Sequence, residues 1–257
     1  MNQHRPLIAL MLLSLAVITP ATANDLQGAT IKVCGDNAGW PPYTYEIDEQ
    51  VVGYDVDVLN TILTPAGIHF SVRMLPWARC LHLTQLGHYH IALSASFNEE
   101  RARNHLMTEP YYTVQPSYIY NSKRFPDGLN ITQPKDLLDH KVCGLQGYNY
   151  NNFGIPSTLV DRETRTFGQV VQKTLAARCD LFLARYEVLA GFAQLGEDHL
   201  RDGLVAVAIP TIAPESFYML ISRAHPEADA ILTLINQRLR TLKQDGMLDQ
   251  LLQQYLN

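Results

Sequence analysis

Apolar positions along this chain switch repeatedly between a short, continuous β-type run and a helical spacing. Residues 31–34 form a β-prone run that ends in Gly35-Asp36. Residues 54–63 place Val56, Val58, Leu59 and Ile62 at helical intervals, and Pro65 and Gly67 stop the pattern. Strand character returns at 69–74, helix at 77–86 and strand at 90–93. After 117–121 the pattern restarts, with a helical turn at 136–138 and strands at 141–145 and 158–162. Helix at 167–176, strand at 180–184, helix at 186–195 and strand at 204–209 follow. An extended segment at 216–222 leads into two amphipathic helices, 226–244 and 247–256, separated by Asp245-Gly246. Strand–helix alternation of this kind predicts an α/β fold with mainly parallel sheets flanked by helices. The restart predicts two lobes joined by two extended crossovers, with the tail returning to the first lobe. There is no internal repeat and no long linker.

The N-terminus changes the picture of compartment. A short polar region with Arg5, an apolar run over 7–18 and Ala21-Thr22-Ala23 have the layout of a secretory signal, with cleavage expected before Asn24. The apolar run is short for a membrane anchor, and the mature chain is expected to be exported, periplasmic and not membrane-embedded. Loss of Arg5 takes the formal charge from −5 to −6. A mildly acidic chain without lysine or arginine blocks has no electrostatic footprint for nucleic acid.

Four cysteines, Cys34, Cys80, Cys143 and Cys179, lie in the mature part. In an oxidising compartment they suggest two disulfides, for which three pairings exist. Their spacing separates an early from a late pair, favouring Cys34–Cys80 and Cys143–Cys179. No CxxC or Cys/His cluster has zinc-ligand spacing, and in the small cluster of His82, His88 and His90 only His88-x-His90 could place two imidazoles on one side of a strand, without a nearby third ligand, so no metal or other cofactor is expected. Asp55 and Asp57 open a predicted helix two residues apart, where acids act as caps rather than as a catalytic pair. No phosphate loop, nucleophile elbow or Cys–His pair marks a catalytic residue.

The densest chemistry runs from Ser94 to Tyr112, SASFNEERARNHLMTEPYY. Two hydroxyls, Ser94 and Ser96, follow an apolar run, and Arg101 comes one short turn later. A guanidinium presents a planar fork of donors that matches a carboxylate, and serines and nearby N–H groups add to it.

With these residues the chain resembles the periplasmic solute-binding proteins of the polar amino-acid type, with the two-lobed type II fold. The markers, in order, are CGDNAGWPPYTY, VVGYDVDVLNTIL, SxSxxxxR through EPYY, KVCGLQGYNY, RCDLFLARYEV and LKQDGMLDQLLQQYL. The resemblance covers the whole mature chain. It implies a lobe 1 of residues 24–118 and 218–257, a lobe 2 of 119–217, and a solute held in the cleft. Carried over by position, Ser94, Ser96 and Arg101 fix a ligand carboxylate. Trp40 and Trp77, the two tryptophans of the chain, face the ligand side chain, and Gly147, Tyr148, Asn149 and Tyr150 form the lobe 2 loop over it.

One position departs from the family pattern. Amino-acid binders of this type place an acidic residue at the end of the strand after the RCD-like motif, where it neutralises the ligand ammonium. Here that position is Arg185, with Glu187 two residues on. Either Glu187 takes the role, or Arg185 meets a second anionic group, or Arg185 pairs with Glu187 or Asp180 away from any ligand. The resemblance implies a monomeric, non-enzymatic binder of a small polar carboxylate that delivers it to an inner-membrane ABC permease. Two alternatives stand beside it. One is a dehydratase of the cyclohexadienyl or arogenate type on the same fold, with Glu187 as its acid. The other is a detached sensor for a membrane receptor.

Overall fold

A computed structural model describes residues 26–256; the proposed signal segment lies outside them. In chain order the strands and helices are β1 Thr30–Asp36, β2 Tyr45–Ile47, β3 Gln50–Val52, α1 Tyr54–Leu63, β4 His69–Leu75, α2 Trp77–Gln85 and β5 Ile91–Ser96. Next come α3 Glu99–Asn104, β6 His105–Met107, β7 Tyr112–Val114, β8 Pro116–Asn121, β9 Val142–Leu145, β10 Asp161–Thr164 and α4 Phe167–Leu175. The chain ends with β11 Leu181–Arg185, α5 Tyr186–Gln194, β12 Leu204–Ala208, β13 Glu215–Ser222, α6 Ala228–Gln244 and α7 Met247–Gln253.

Two sheets organise these elements. The first runs β4-β1-β5-β13-β6, with β7 also paired to β13, and the second runs β10-β9-β11-β8-β12. In each sheet three neighbouring strands are parallel: β4, β1 and β5 in one, β10, β9 and β11 in the other. The remaining strands run antiparallel, so the sheets are mixed rather than mainly parallel. The cause is the pair of crossovers. β8 leaves the first sheet to join the second and β13 returns, and each therefore enters its sheet against the direction of the βα units. Strands β9 and β11 are buried along their whole length, which is why they read as continuous apolar runs. Helices α6 and α7 pack back on α1, β6 and β13.

Local departures from the sequence reading have identifiable causes. The strand expected at 158–162 begins instead at Asp161, because Ser157 is pinned to Asn151 through its N–H and hydroxyl and holds a 3-10 turn before it. Asp55 is not a helix cap. Gly53 occupies the N-cap, and Asp55 is fully buried, accepting hydrogen bonds from Ser94, Tyr111 and Thr44. The cysteines form Cys34–Cys80 and Cys143–Cys179, with Cα–Cα distances of 5.8 and 6.0 Å. The first staples α2 to β1. Among the described residues no helix is long and apolar enough to cross a membrane, and no group of three or more His, Cys, Asp or Glu residues could hold a metal.

Candidate functional site

Parallel strands that turn into helices leave a crevice at their C-terminal ends, and both sheets open their crevices toward each other here. Asp36 ends β1, Trp77 follows β4, and Ser94 and Ser96 end β5. From the other sheet, Tyr148 and Asn149 follow β9 and Arg185 ends β11. Together with Gly35, Trp40, Thr44, Leu93, Arg101 and Phe217 they enclose a cavity of about 30 Å³. A larger groove of about 750 Å³ adjoins it beside α3 and the 147–162 segment.

Arg101 is buried on α3. Its Nη1 donates to the carbonyl of Ser96 at 2.9 Å and to its hydroxyl at 2.8 Å, and Nη2 reaches the carbonyl of Gly147 at 3.4 Å. Its guanidinium carbon lies 5.5 Å from the Trp77 ring centroid. Burial and the nearby Arg185 push its pKa down to about 10, still well above neutrality. This side chain is a buried cation whose protein partners are all neutral.

Ser94 is held in a left-handed backbone conformation, φ 53°, unusual for a residue with a side chain. Its donors are committed: the hydroxyl donates to Asp55 at 2.6 Å and the N–H to the Tyr111 hydroxyl at 3.3 Å. The Tyr112 hydroxyl donates to Ser94 Oγ at 2.7 Å and accepts from Trp40 Nε1 at 3.0 Å. Toward the cavity Ser94 therefore offers a lone pair, not the proton expected of a carboxylate clamp. Burial pushes Asp55 up to about 6, against the three hydroxyls that hold it down.

The lobe 2 loop splits. Tyr148 donates to Asp36 at 2.6 Å across the cleft, and Asn149 donates to the Phe97 carbonyl at 3.0 Å. Gly147, at φ 81°, brings the loop so close that an added Cβ would lie 3.2 Å from the Ala78 nitrogen. Tyr150 turns inward instead: it is fully buried beneath Gly144 and accepts the Leu145 N–H at 2.6 Å, so it braces the loop without lining the cavity.

Arg185 lines the cavity but pairs with neither acid considered from the sequence. Its Nε and Nη2 both bond Glu215 Oε2, at 2.9 and 2.6 Å, and Nη2 also meets the Asn149 carbonyl at 3.2 Å. Glu215 opens β13, and Asn152 occupies its other oxygen at 2.6 Å. Glu187 points away, with both oxygens accepting the Gln115 N–H at 2.9 and 3.1 Å, and it is not part of the cavity wall. Burial pushes its carboxyl up.

Sequence reasoning missed Asp36, Thr44 and Phe217 on the wall and Glu215 behind it. Gly35-Asp36 at the end of a β-run was a legible signal for Asp36. Nothing in the sequence tied Glu215 to Arg185.

Against known proteins, the family profile described as "Bacterial extracellular solute-binding proteins, family 3" matches residues 31–257. The chain belongs to that family. Solved structures of the same fold include an ancestral arginine-binding protein bound to arginine, 18% identical, with TM-score 0.70 over 90% of this chain and 100% of that one. A histidine kinase sensor domain with similarity to periplasmic binding proteins is 21% identical, with TM-score 0.72 over 91% and 98%. An ancestral amino-acid-binding protein described as a precursor of cyclohexadienyl dehydratase is 20% identical, with TM-score 0.68 over 89% and 96%. No curated protein matches the sequence. At these identities the structural likeness establishes the two-lobed fold of this family 3 protein.

Proposed function

We propose that this family 3 protein captures a small carboxylate-bearing solute between its lobes in the periplasm and presents the closed form to an inner-membrane ABC permease. The observation that carries this reading is Arg101, a buried cation with only neutral protein partners, lining the interlobe cavity beside Ser96 and Trp77. A carboxylate completes its fork of donors. A cavity of about 30 Å³ is far smaller than a ligand pocket, so the lobes part to admit the solute and close on it in a wider arrangement than this one. Two sheets support a division into two lobes close to 24–118 with 218–257 and 119–217, but the crossovers fall just before β8, which lies wholly in the second sheet, and just before β13, which lies wholly in the first. The dehydratase reading gains nothing from Glu187, which stands outside the wall.

Thermal unfolding of protein refolded free of solute tests this. Amino acids and simple carboxylates are added singly; at least one raises the melting temperature with concentration. Arg101→Ala weakens that probe on the order of 100-fold, the scale for removing a buried charge partner. Equal affinity in the variant, or no response to any carboxylate, overturns the reading.

A further inference from the structure

The interlobe space continues past the cavity, and its continuation holds a second cation without a protein partner. Arg101, Tyr148 and Asn149 line both the cavity and the groove of about 750 Å³ beside it. The first lobe walls this groove with α2 and α3, and the second with the loop after β9 and with Arg162 of β10. No protein group takes the Arg101 Nε–H, and its Nη2 meets only the Gly147 carbonyl, at 3.4 Å. Donor capacity therefore remains on a guanidinium that borders both spaces.

Arg162 is half-buried on β10 and lines the groove from the second lobe. Among the described residues its guanidinium makes no hydrogen bond and no ion pair. The acids beside it in sequence are engaged elsewhere: Asp161 and Glu163 hold Lys173 at 2.5 and 3.6 Å. The acids on the groove wall, Glu99 and Glu100, stand exposed on the first turn of α3, and Glu99 pairs with Arg103 at 3.5 Å. Arg185, the cation weighed from the sequence for a second anionic group, is closed off by Glu215 and does not line the groove. Much of the remaining wall is amide. Asn98 and Asn151 have their carbonyl oxygens engaged, by the Arg101 N–H and by Ser157, and their amide nitrogens free. Those N–H groups are donors suited to carboxylate oxygens.

We propose, resting on the carboxylate reading of Arg101, that the solute carries a second anionic group and that Arg162 takes it in the groove, so that one molecule bridges the lobes from Arg101 to Arg162. A guanidinium free of protein acids presents its fork of donors to an incoming carboxylate. The groove's volume lies in the range of small-molecule sites and leaves room for the spacer between the two groups. The anionic groups are divided between lobes: the first lobe holds one, and the second lobe gains its own charged contact only when the other is present. A solute with one carboxylate leaves Arg162 to water. Because Arg162 is half-buried, its contact contributes less than a fully desolvated pair, about tenfold in affinity. Residue 162 therefore supplies selectivity for the dianion over the monoanion, not affinity for carboxylates in general.

Calorimetric titration of solute-free protein decides the matter with paired probes. Unbranched dicarboxylates from malonate to pimelate are each set against their monoamides, and aspartate and glutamate against asparagine and glutamine. At least one dianionic probe binds wild type, and its amide counterpart binds about tenfold more weakly. Arg162→Gln weakens the dianionic probe about tenfold and leaves the counterpart within about threefold, so the preference disappears. The Arg162 side chain bonds nothing in the protein, so this variant folds as wild type does, and Arg162→Lys keeps most of the preference. If amide counterparts bind wild type as tightly as the dianions, the carboxylate reading stands and the Arg162 assignment falls. If the dianion preference persists undiminished in Arg162→Gln, the second anionic group is held elsewhere and the assignment falls. If no carboxylate of either kind binds, both fall.

Discussion

Arg101 and Arg185 face one cavity from opposite lobes, and the protein treats their charges in opposite ways. Arg101, on a short helix of the first lobe, is surrounded by the carbonyl and hydroxyl of Ser96, the carbonyl of Gly147 and the face of Trp77. Arg185, at the end of a wholly buried strand, is given a carboxylate, Glu215, and three aromatic neighbours in Phe153, Phe217 and Trp40. A buried ion pair supplied entirely by the protein is complete before any solute arrives. A buried cation with neutral partners is incomplete, and its remaining attraction is available to a ligand. The same residue type is thus satisfied by the protein at one corner and left with donor capacity for a ligand at the other, and the partner decides which.

The largest expected effect comes from removing the carboxylate at the completed corner. Glu215→Ala leaves Arg185 buried without a counter-charge and is expected to lower solute-free stability by about 3–5 kcal/mol, measured by urea unfolding. Replacing both members by apolar residues, Arg185→Met with Glu215→Leu, recovers most of that loss. Arg101→Ala, by contrast, removes no balanced pair and is expected to lower solute-free stability by less than Glu215→Ala does. Similar losses for Glu215→Ala and Arg101→Ala would erase the distinction between the two corners.

A smaller effect concerns the acids beside the ligand corner. Asp36 and Asp55 both have pKa values pushed up from 3.8 to about 6 by burial. A raised carboxyl disfavours folding while it must stay ionised, so stability is gained as pH falls through the folded value toward the unfolded one. Between pH 7 and pH 5 each contributes about 1 kcal/mol of added stability. The urea midpoint of solute-free protein should rise over that interval, and less so in Asp36→Asn. A midpoint that falls on acidification would mean these acids are not destabilised by burial.

The smallest effect tests how the corners are brought together. Gly191, on α5, lies so close to Pro41 that an added Cβ would stand 2.6 Å from its carbonyl oxygen. Gly191→Ala should hold the lobes slightly apart and weaken binding about tenfold, with a larger radius of gyration in small-angle scattering. Unchanged affinity and radius would mean that this contact yields without opening the cleft.

Much of the architecture was legible because its signals are local. The helix at Tyr54–Leu63 is visible in the spacing of Val58, Leu59 and Ile62, and β9 and β11 in continuous apolar runs. Strands β6 and β7, three residues each, are too short to show a period. The site was legible where one segment carries it, as with Ser96 and Arg101, and illegible where distant segments meet. Glu215 reaches Arg185 across 30 positions through a crossover, whereas Glu187, one of the alternatives two residues from the family position, bonds the Gln115 N–H instead. Ser94 lies on the wall, but its hydrogen bonds depend on Asp55 of α1 and on Tyr111 and Tyr112 at the start of β7, a convergence of two distant segments that the sequence does not show.

The Cys34–Cys80 bond joins β1, two residues before Asp36, to α2, three residues after Trp77. Its closed loop spans a sequence separation of 46, which by chain entropy alone stabilises by about 4 kcal/mol. Two walls of the cavity are therefore set against each other by a covalent tie that forms only where thiols are oxidised. A reduced chain carries the same side chains on a looser frame, so the position of Asp36 relative to Trp77 depends on a bond that lies outside the cavity itself.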